Sequence, residues 1–353
     1  MSNGNRKIRT GLVGVGNCAA ALLEGIQWYA ENPGETKGLL SPDIDGYKIG
    51  DIDVVMAFDV DVRKVGLTIG EAAEFNERRL AKPLNFPGPV MPSPRLDGLA
   101  STSIVETTDD MTASVEDIAH ELRMQNLDVL VNYLPVGSTL ASELYALAAA
   151  EAGVAFLNCI PVEIARNATI AERFALLNVP LIGDDIKSQY GATILHRSLV
   201  RICAERGVHL ESTYQLNVGG NADFRNMLDQ SRLTDKRISK TTSVTDVYPV
   251  DKVHIGPSDY VDHLDDTKIA FINLDMVGFA GSPMSVDLKL EVIDSPNSAG
   301  IVVDGIRYLA VAKNRGIGGV LDAPSGFLMK APQNHTNDDL GAKRAAVAFL
   351  SDE

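Results

Sequence analysis

Residues 8–15 form a short, nearly uncharged run, glycines interrupt it at Gly14 and Gly16, and from residue 17 to 29 apolar side chains recur at helical spacing. That change of period predicts a buried strand, a tight turn and an amphipathic helix. Apolar runs predict further strands at 54–58, 129–133, 155–158 and 180–183, and helical spacing predicts helices at 114–123 and 139–152. Strands and helices alternating at these lengths imply an α/β architecture with a parallel, doubly wound sheet. Two stretches dense in glycine and proline stand apart. Residues 32–51 are expected to be an irregular insertion that loops out of the first strand–helix–strand unit, and residues 82–98 an ordered surface loop.

Beyond Ala192 the pattern changes. A helix is expected over 193–206, and then polar and apolar residues alternate in 209–218, 252–255, 268–274 and 286–292, as in antiparallel strands with one covered face. Helical spacing returns at 298–315 and 338–350. The economical arrangement is a nucleotide-type domain over 1–192, an inserted sheet domain over 193–296, and C-terminal helices over 297–353 that pack back on the first domain.

The chain has 353 residues, more than one core usually supports, so two structural regions are expected. Its formal charge of −15 and the lack of a basic block argue against nucleic acid or an anionic membrane as partner. Any anionic ligand must meet a local cationic pocket. Cys18, Cys159 and Cys203 are widely spaced and odd in number, which fits a reducing compartment and neither a disulfide framework nor a cysteine zinc site. The six histidines show no metal-ligand spacing, so no transition-metal site is expected. The opening apolar run is too short for a signal peptide and no run is long enough to span a membrane, so the cytoplasm is the expected location.

Gly14, Gly16 and Ala19 make a GxGxxA fingerprint between the first strand and its helix. The first glycine permits the turn, the second lets backbone approach a pyrophosphate, and the small third residue lets helix and strand pack closely. Amides at the helix N-terminus then face the anion. Asp59 ends the second strand, where a carboxylate can bind the ribose hydroxyls and disfavour a 2′-phosphate, so NAD is favoured over NADP. It lies 45 residues after Gly14, against the usual ~20. A solvated strand-end acid is the alternative, with Asp61 close by.

Several polar phrases exceed what a core needs: GDDIKSQYGAT at 183–193, NVGGNADF at 217–224, KRISK at 236–240 and DSPNSAG at 294–300. Together with GVGNCA, AFDVD and the loop NYLPVGS at 132–138, they resemble the short prokaryotic form of the inositol-3-phosphate synthase family, over residues 8 to about 330. The resemblance implies a Rossmann domain interrupted by an inserted α+β domain that serves catalysis and tetramerisation, tightly held NAD, and a homotetramer. It places active-site lysines at Lys236, Lys240, Lys268 and Lys330. It places cofactor contacts at Gly14, Gly16, Asn17, Cys18, Asp59, Pro135, Gly137, Ser188, Asp223 and Lys236, with Tyr145 as a candidate whose alternative is an aromatic core position. Asp185, Asp223 and Asp294 would orient lysines or bind cofactor, or else act as turn or capping acids.

The chemistry implied by the resemblance is the redox-neutral cyclisation of D-glucose 6-phosphate to 1D-myo-inositol 3-phosphate, in inositol and phospholipid biosynthesis. Oxidation at C5 acidifies C6, C6 attacks the C1 aldehyde, and the C5 ketone is reduced again. Lysines in a water-poor site suit the oxygens that become anionic. On a helix, Lys236 and Lys240 would project from one face toward one ligand, and close ammonium groups have lowered proton affinity. The resemblance puts Ser188 and adjacent amides on a phosphate, since the phrase leads into a helix N-terminus. An ammonium, potassium or divalent cation beside the phosphates stays open. The competing readings are an NAD-dependent dehydrogenase of a phosphorylated sugar or polyol, which would not need lysines around two carbon centres, and a non-enzymatic NAD-sensing scaffold.

Overall fold

The computed structural model describes residues 7–80, 82–99, 105–107, 112–226, 248–334 and 338–351. The chain divides into two compact units, Met1–Lys187 with Ser298–Glu353, and Ser188–Asn297.

In the first unit the chain runs β1 (Ile8–Val13), α1 (Asn17–Glu31), β2 (Ile52–Asp59), α2 (Ile69–Ala73), β3 (Val90–Pro92), α3 (Val115–Met124), β4 (Val129–Asn132), α4 (Thr139–Ala152), β5 (Ala155–Asn158), α5 (Ala168–Leu176) and β6 (Pro180–Ile182). The second unit holds α6 (Ala192–Arg206), β7 (His209–Gly219), α7 (Ala222–Asn226), β8 (Lys252–Tyr260), β9 (Thr267–Val277) and β10 (Pro283–Ile293). Helix α8 (Asp294–Asn314) begins in the second unit, and β11 (Gly319–Val320), α9 (Asp322–Leu328) and α10 (Asp339–Ala348) complete the first.

All seven strands of the first sheet are parallel, in the order β11-β6-β5-β4-β1-β2-β3. Both faces are covered, so its central strands are apolar on successive residues, as in Val129–Asn132 and Ala155–Asn158, where every residue is buried. One core packs α1 and α8 on the sheet through Leu22, Leu23, Val302 and Leu309, and the other packs α3, α4 and α5 through Leu122, Ala146 and Phe174. Each such fully buried Leu or Phe contributes roughly 1.5–3 kcal/mol relative to exposure.

Residues 32–51 are the irregular insertion expected between α1 and β2, and part of it packs on the core: Ile44, Tyr47 and Ile49 are buried, and the fully buried guanidinium of Arg307 donates to the carbonyls of Ser41 and Tyr47 at 2.7 and 3.2 Å. Arg307 also pairs with buried Asp304, so its charge is met inside the core. The proline-rich stretch 82–98 is partly strand, since Val90–Pro92 pairs with β2 at the sheet edge, the position a strand containing proline tolerates. The second sheet, ordered β10-β9-β7-β8, is mixed and not antiparallel throughout, because β7 and β8 run parallel. Alternating polarity reports a half-covered strand and is silent on direction.

Helix α6 covers one face of that sheet, with Val200 and Cys203 packed on Leu210, Ile272 and Leu274. Among the described residues no helix is long and apolar enough to cross a membrane.

Candidate functional site

The turn after β1 is held from all sides. Gly14 adopts φ +92° and a Cβ there would meet the carbonyl oxygen of Tyr133 at 3.0 Å, so glycine is required by the protein itself. Gly16 differs: its φ is ordinary and a Cβ there would meet nothing within 4 Å. A side chain at Gly16 would meet no protein atom, so the backbone there is open to a ligand. Gly16 is the N-cap of α1 and offers no side-chain cap. Among the described residues Tyr133 buries its hydroxyl without a hydrogen-bond partner. These features fit a dinucleotide pyrophosphate at the turn.

Asp59 stands at the end of β2 with both oxygens engaged. Oδ2 accepts from Val15 N at 2.9 Å and Oδ1 from Asp61 N at 2.9 Å, while Lys64 Nζ lies 3.9 Å from Oδ2 and donates to Val15 O at 2.7 Å. A carboxylate offers about four acceptor positions, so capacity for ribose hydroxyls remains. Asn17 Oδ1 accepts from Glu77 N, and Cys18, half-buried, accepts from Ser298 Oγ at 3.8 Å. In the loop after β4, Ser138 donates through N and Oγ to Pro135 O, and Gly137 takes φ +94°. Tyr145 has no exposed surface. Its hydroxyl donates to Ser93 Oγ at 2.8 Å and its ring lies against Phe58, so any influence on a ligand passes through Ser93.

At the ends of β4, β5 and β6 runs a buried polar chain that sequence reasoning missed. Asn132 Nδ2 donates to Asn158 Oδ1 at 2.9 Å, and Asn158 Nδ2 donates to Asp184 Oδ1 at 2.7 Å. Asp184 also accepts from the amides of Ile164, Ala165 and Arg166 at 3.2, 3.0 and 3.3 Å. Burial pushes its pKa up, and the hydrogen bonds work against that shift. The next residue, Asp185, sits at φ +61° and is pinned by its neighbours: its amide donates to Ile160 O and its carbonyl accepts from Lys330 N at 2.7 Å. Its carboxylate then accepts from Lys330 Nζ at 2.9 Å. The first unit therefore brings Asp185 and Lys330 together.

In the second unit Lys268 Nζ lies 3.3 and 3.4 Å from the two oxygens of Asp294 and 5.7 Å from the centre of the Phe224 ring. Asp294 opens α8, Asp223 lies in the first turn of α7, and the Asp223 amide donates to Asn221 Oδ1. Ser188 precedes the N-terminus of α6, which no side chain caps, and Asn297 holds that approach by accepting from the amides of Gln189 and Tyr190. Buried Asp266 accepts from Ser295 N, Ser295 Oγ and Asn221 Nδ2 at 3.0, 2.9 and 3.2 Å. Burial raises its pKa against those bonds. The doublets Asp184–Asp185 and Asp265–Asp266 were the available signal for both buried carboxylates, but a doublet does not say which member turns inward. Lys236 and Lys240 lie outside the described residues. Among the described residues no cluster of His, Cys, Asp and Glu could hold a metal.

A seven-stranded parallel sheet with a glycine turn after β1, joined in one chain to a mixed-sheet unit bearing a lysine–carboxylate pair, defines an α/β enzyme of the Rossmann type. The profile of the myo-inositol-1-phosphate synthase family matches residues 191–295. Inositol-3-phosphate synthase of Corynebacterium glutamicum is 45% identical, covering 97% of this chain and 98% of its own. The chain belongs to the inositol-3-phosphate synthase family, whose members are intramolecular lyases of the isomerase class. Among solved structures, that described as Ari2 is 35% identical with a TM-score of 0.80, covering 98% of this chain and 100% of its own. A myo-inositol-1-phosphate synthase-related protein from Thermotoga maritima, 22% identical, shares the fold with a TM-score of 0.83 and covers 98% of each chain.

Proposed function

We propose that this enzyme cyclises D-glucose 6-phosphate to 1D-myo-inositol 3-phosphate, with NAD held on the turn of Gly14 and Gly16 and no net change of redox state. The observation that carries the proposal is a pair of lysines, Lys330 and Lys268, each clamped by its own carboxylate, in a chain that also has a dinucleotide turn. A simple alcohol dehydrogenase needs one acid–base group at one carbon. Bound NAD would supply the hydride acceptor at C5 and, later in the same turnover, the donor.

The remaining tasks fall to the chain. Asp59 takes the ribose hydroxyls, Asn17 and Cys18 line the pyrophosphate turn, and Pro135 and Gly137 shape the loop beside it. Ser188 and the amides that lead into α6 receive a phosphate of cofactor or substrate. The family resemblance assigns Lys268, Lys330 and Lys236 to the C5 and C1 oxygens, where an ammonium would stabilise the enolate and the developing alkoxide, and Lys240 to the phosphate. Asp185 and Asp294 fix the lysine ammonium groups they bond, which preserves the geometry of attack of C6 on C1. The inserted unit self-associates into a tetramer through the sheet face opposite α6, where Tyr214 and Phe271 remain 38% and 42% exposed.

Substrate carrying deuterium at C5 tests the cycle. The label should leave for the cofactor and return to the same carbon, with NADH absorbance limited to a transient stoichiometric with enzyme. Accumulation of NADH in proportion to sugar consumed would instead establish the dehydrogenase reading.

A further inference from the structure

Asn221 uses all its hydrogen-bonding capacity on groups that surround Lys268. Its Nδ2 faces Asp266 Oδ1 at 3.2 Å and Asp294 Oδ2 at 3.5 Å, and its Oδ1 accepts from the amides of Asp223 and Phe224 at 3.1 and 3.3 Å. Asp294 and Phe224 are the carboxylate and the aromatic ring against which the Lys268 ammonium rests. One buried amide thus ties both to each other. Asp266 extends the tie: its backbone carbonyl accepts from Asp294 N at 2.9 Å, and its carboxylate takes both donors of Ser295. Each of these groups carries a desolvation cost that its hydrogen bonds offset, so the arrangement is held in one geometry.

We infer that Asn221 and Asp266 are positioning residues for Lys268, holding its ammonium in place and tuning how long it keeps its proton as pH rises. The inference rests on the reading of Lys268 as a group that stabilises substrate oxygens. Among the described residues of this unit, the charged groups on the elements packed around Lys268 are Asp294 on α8, Asp265 and Asp266 just before β9, and Asp223 and Arg225 on α7. Its direct partners across the sheet, Gly219 and Val292, carry no charge.

Two changes should act in opposite directions. Asp266→Asn loosens the acceptor that holds Ser295 and Asn221 beside Asp294, so Asp294 rests less firmly on the ammonium and the alkaline limb of kcat should move to lower pH. Asn221→Ser keeps an acceptor for the α7 amides but withdraws the donor that shares the charge of Asp294, so the ammonium is held more firmly and the limb should move up. A merely structural role gives variants that melt earlier with an unmoved limb. The measurements are kcat against pH, NAD affinity by titration and a melting curve for each holoenzyme. Unmoved limbs, or displacement of both the same way, overturn the inference. Lys268→Ala separates the two levels. Full turnover in that variant removes the role of Lys268 and the inference with it, whereas loss there beside unmoved limbs in the other two variants overturns the inference alone. If Asp266→Asn fails to melt cooperatively, Asn221→Ser decides: an upward limb supports the inference and an unmoved limb refutes it.

Discussion

Asp59, proposed to bind the cofactor ribose, also serves the structure. Its oxygens already hold the amides of Val15 and Asp61, so it shapes the turn before any cofactor arrives. Asp59→Ala should therefore weaken NAD binding by ~1.5 to 3 kcal/mol, roughly ten- to a hundredfold, as expected for a charge-assisted hydrogen bond. It should also lower the stability of the apoprotein by about 1 to 3 kcal/mol, because the Val15 amide loses its partner. Calorimetric titration and denaturant unfolding read the two effects separately, and unchanged NAD affinity would remove Asp59 from the site. Sequence gave the position of this residue through the strand end, but not its double duty, which depends on a contact across 44 residues. Asp184 and Asp185 make the same point. The phrase GDDIKSQYGAT is polar enough to be noticed, yet only the folded backbone decides that Asp184 turns to Asn158 and Asp185 to Lys330.

At the scale of elements, apolar runs of distinct length were legible: helix α4 and strand β5 lie where the apolar pattern puts them. Helix α5 is not among the elements that pattern predicts, although Asn167 caps it by accepting from the amides of Thr169 and Ile170. The parallel pairing of β7 and β8 was illegible because pairing direction is a property of connections and not of either strand. Helix α6 carries an acid-sensitive element. His196 is fully buried on it, 2.7 Å from Thr213 Oγ1, and burial lowers its pKa from 6.5 to about 4. Above pH 6.5 the folded and unfolded chains both hold it neutral; as pH falls, the unfolded chain takes up the proton first and gains stability relative to the fold. Stability should thus be lost between pH 6.5 and about 4, at up to ~1.4 kcal/mol per unit. In His196→Gln that part of the slope should vanish from melting curves recorded over the same range. Parallel curves for variant and parent would show that His196 does not set it.

For the whole molecule, the proposed tetramer depends on the open face of the second sheet. A charge in the middle of that face should oppose association without entering the core. Phe271→Glu is expected to shift the species seen by light scattering to smaller mass while leaving cooperative unfolding in place, since an exposed substitution usually changes stability within about 0.5 kcal/mol. An unchanged mass would place the interface elsewhere. The period of polarity changes after Ala192, near the start of the second unit at Ser188, but the burial of Ile44, Tyr47 and Ile49 was not legible, since the arginine that bonds Tyr47 lies 260 residues further on.

That distance bears on how the protein is made. One face of the first sheet is covered by α1 and α8, and the carbonyls of Ser41 and Tyr47 wait for Arg307 on α8. A nascent chain that has left the ribosome as far as Lys187 has all its parallel strands but β11, and of the two helices on that face only α1. The whole second unit is translated before that cover emerges. At bacterial and eukaryotic synthesis rates of about 5–20 residues per second, the exposed sheet persists for several seconds. During that interval the enclosing unit lacks the cover that its last helices supply.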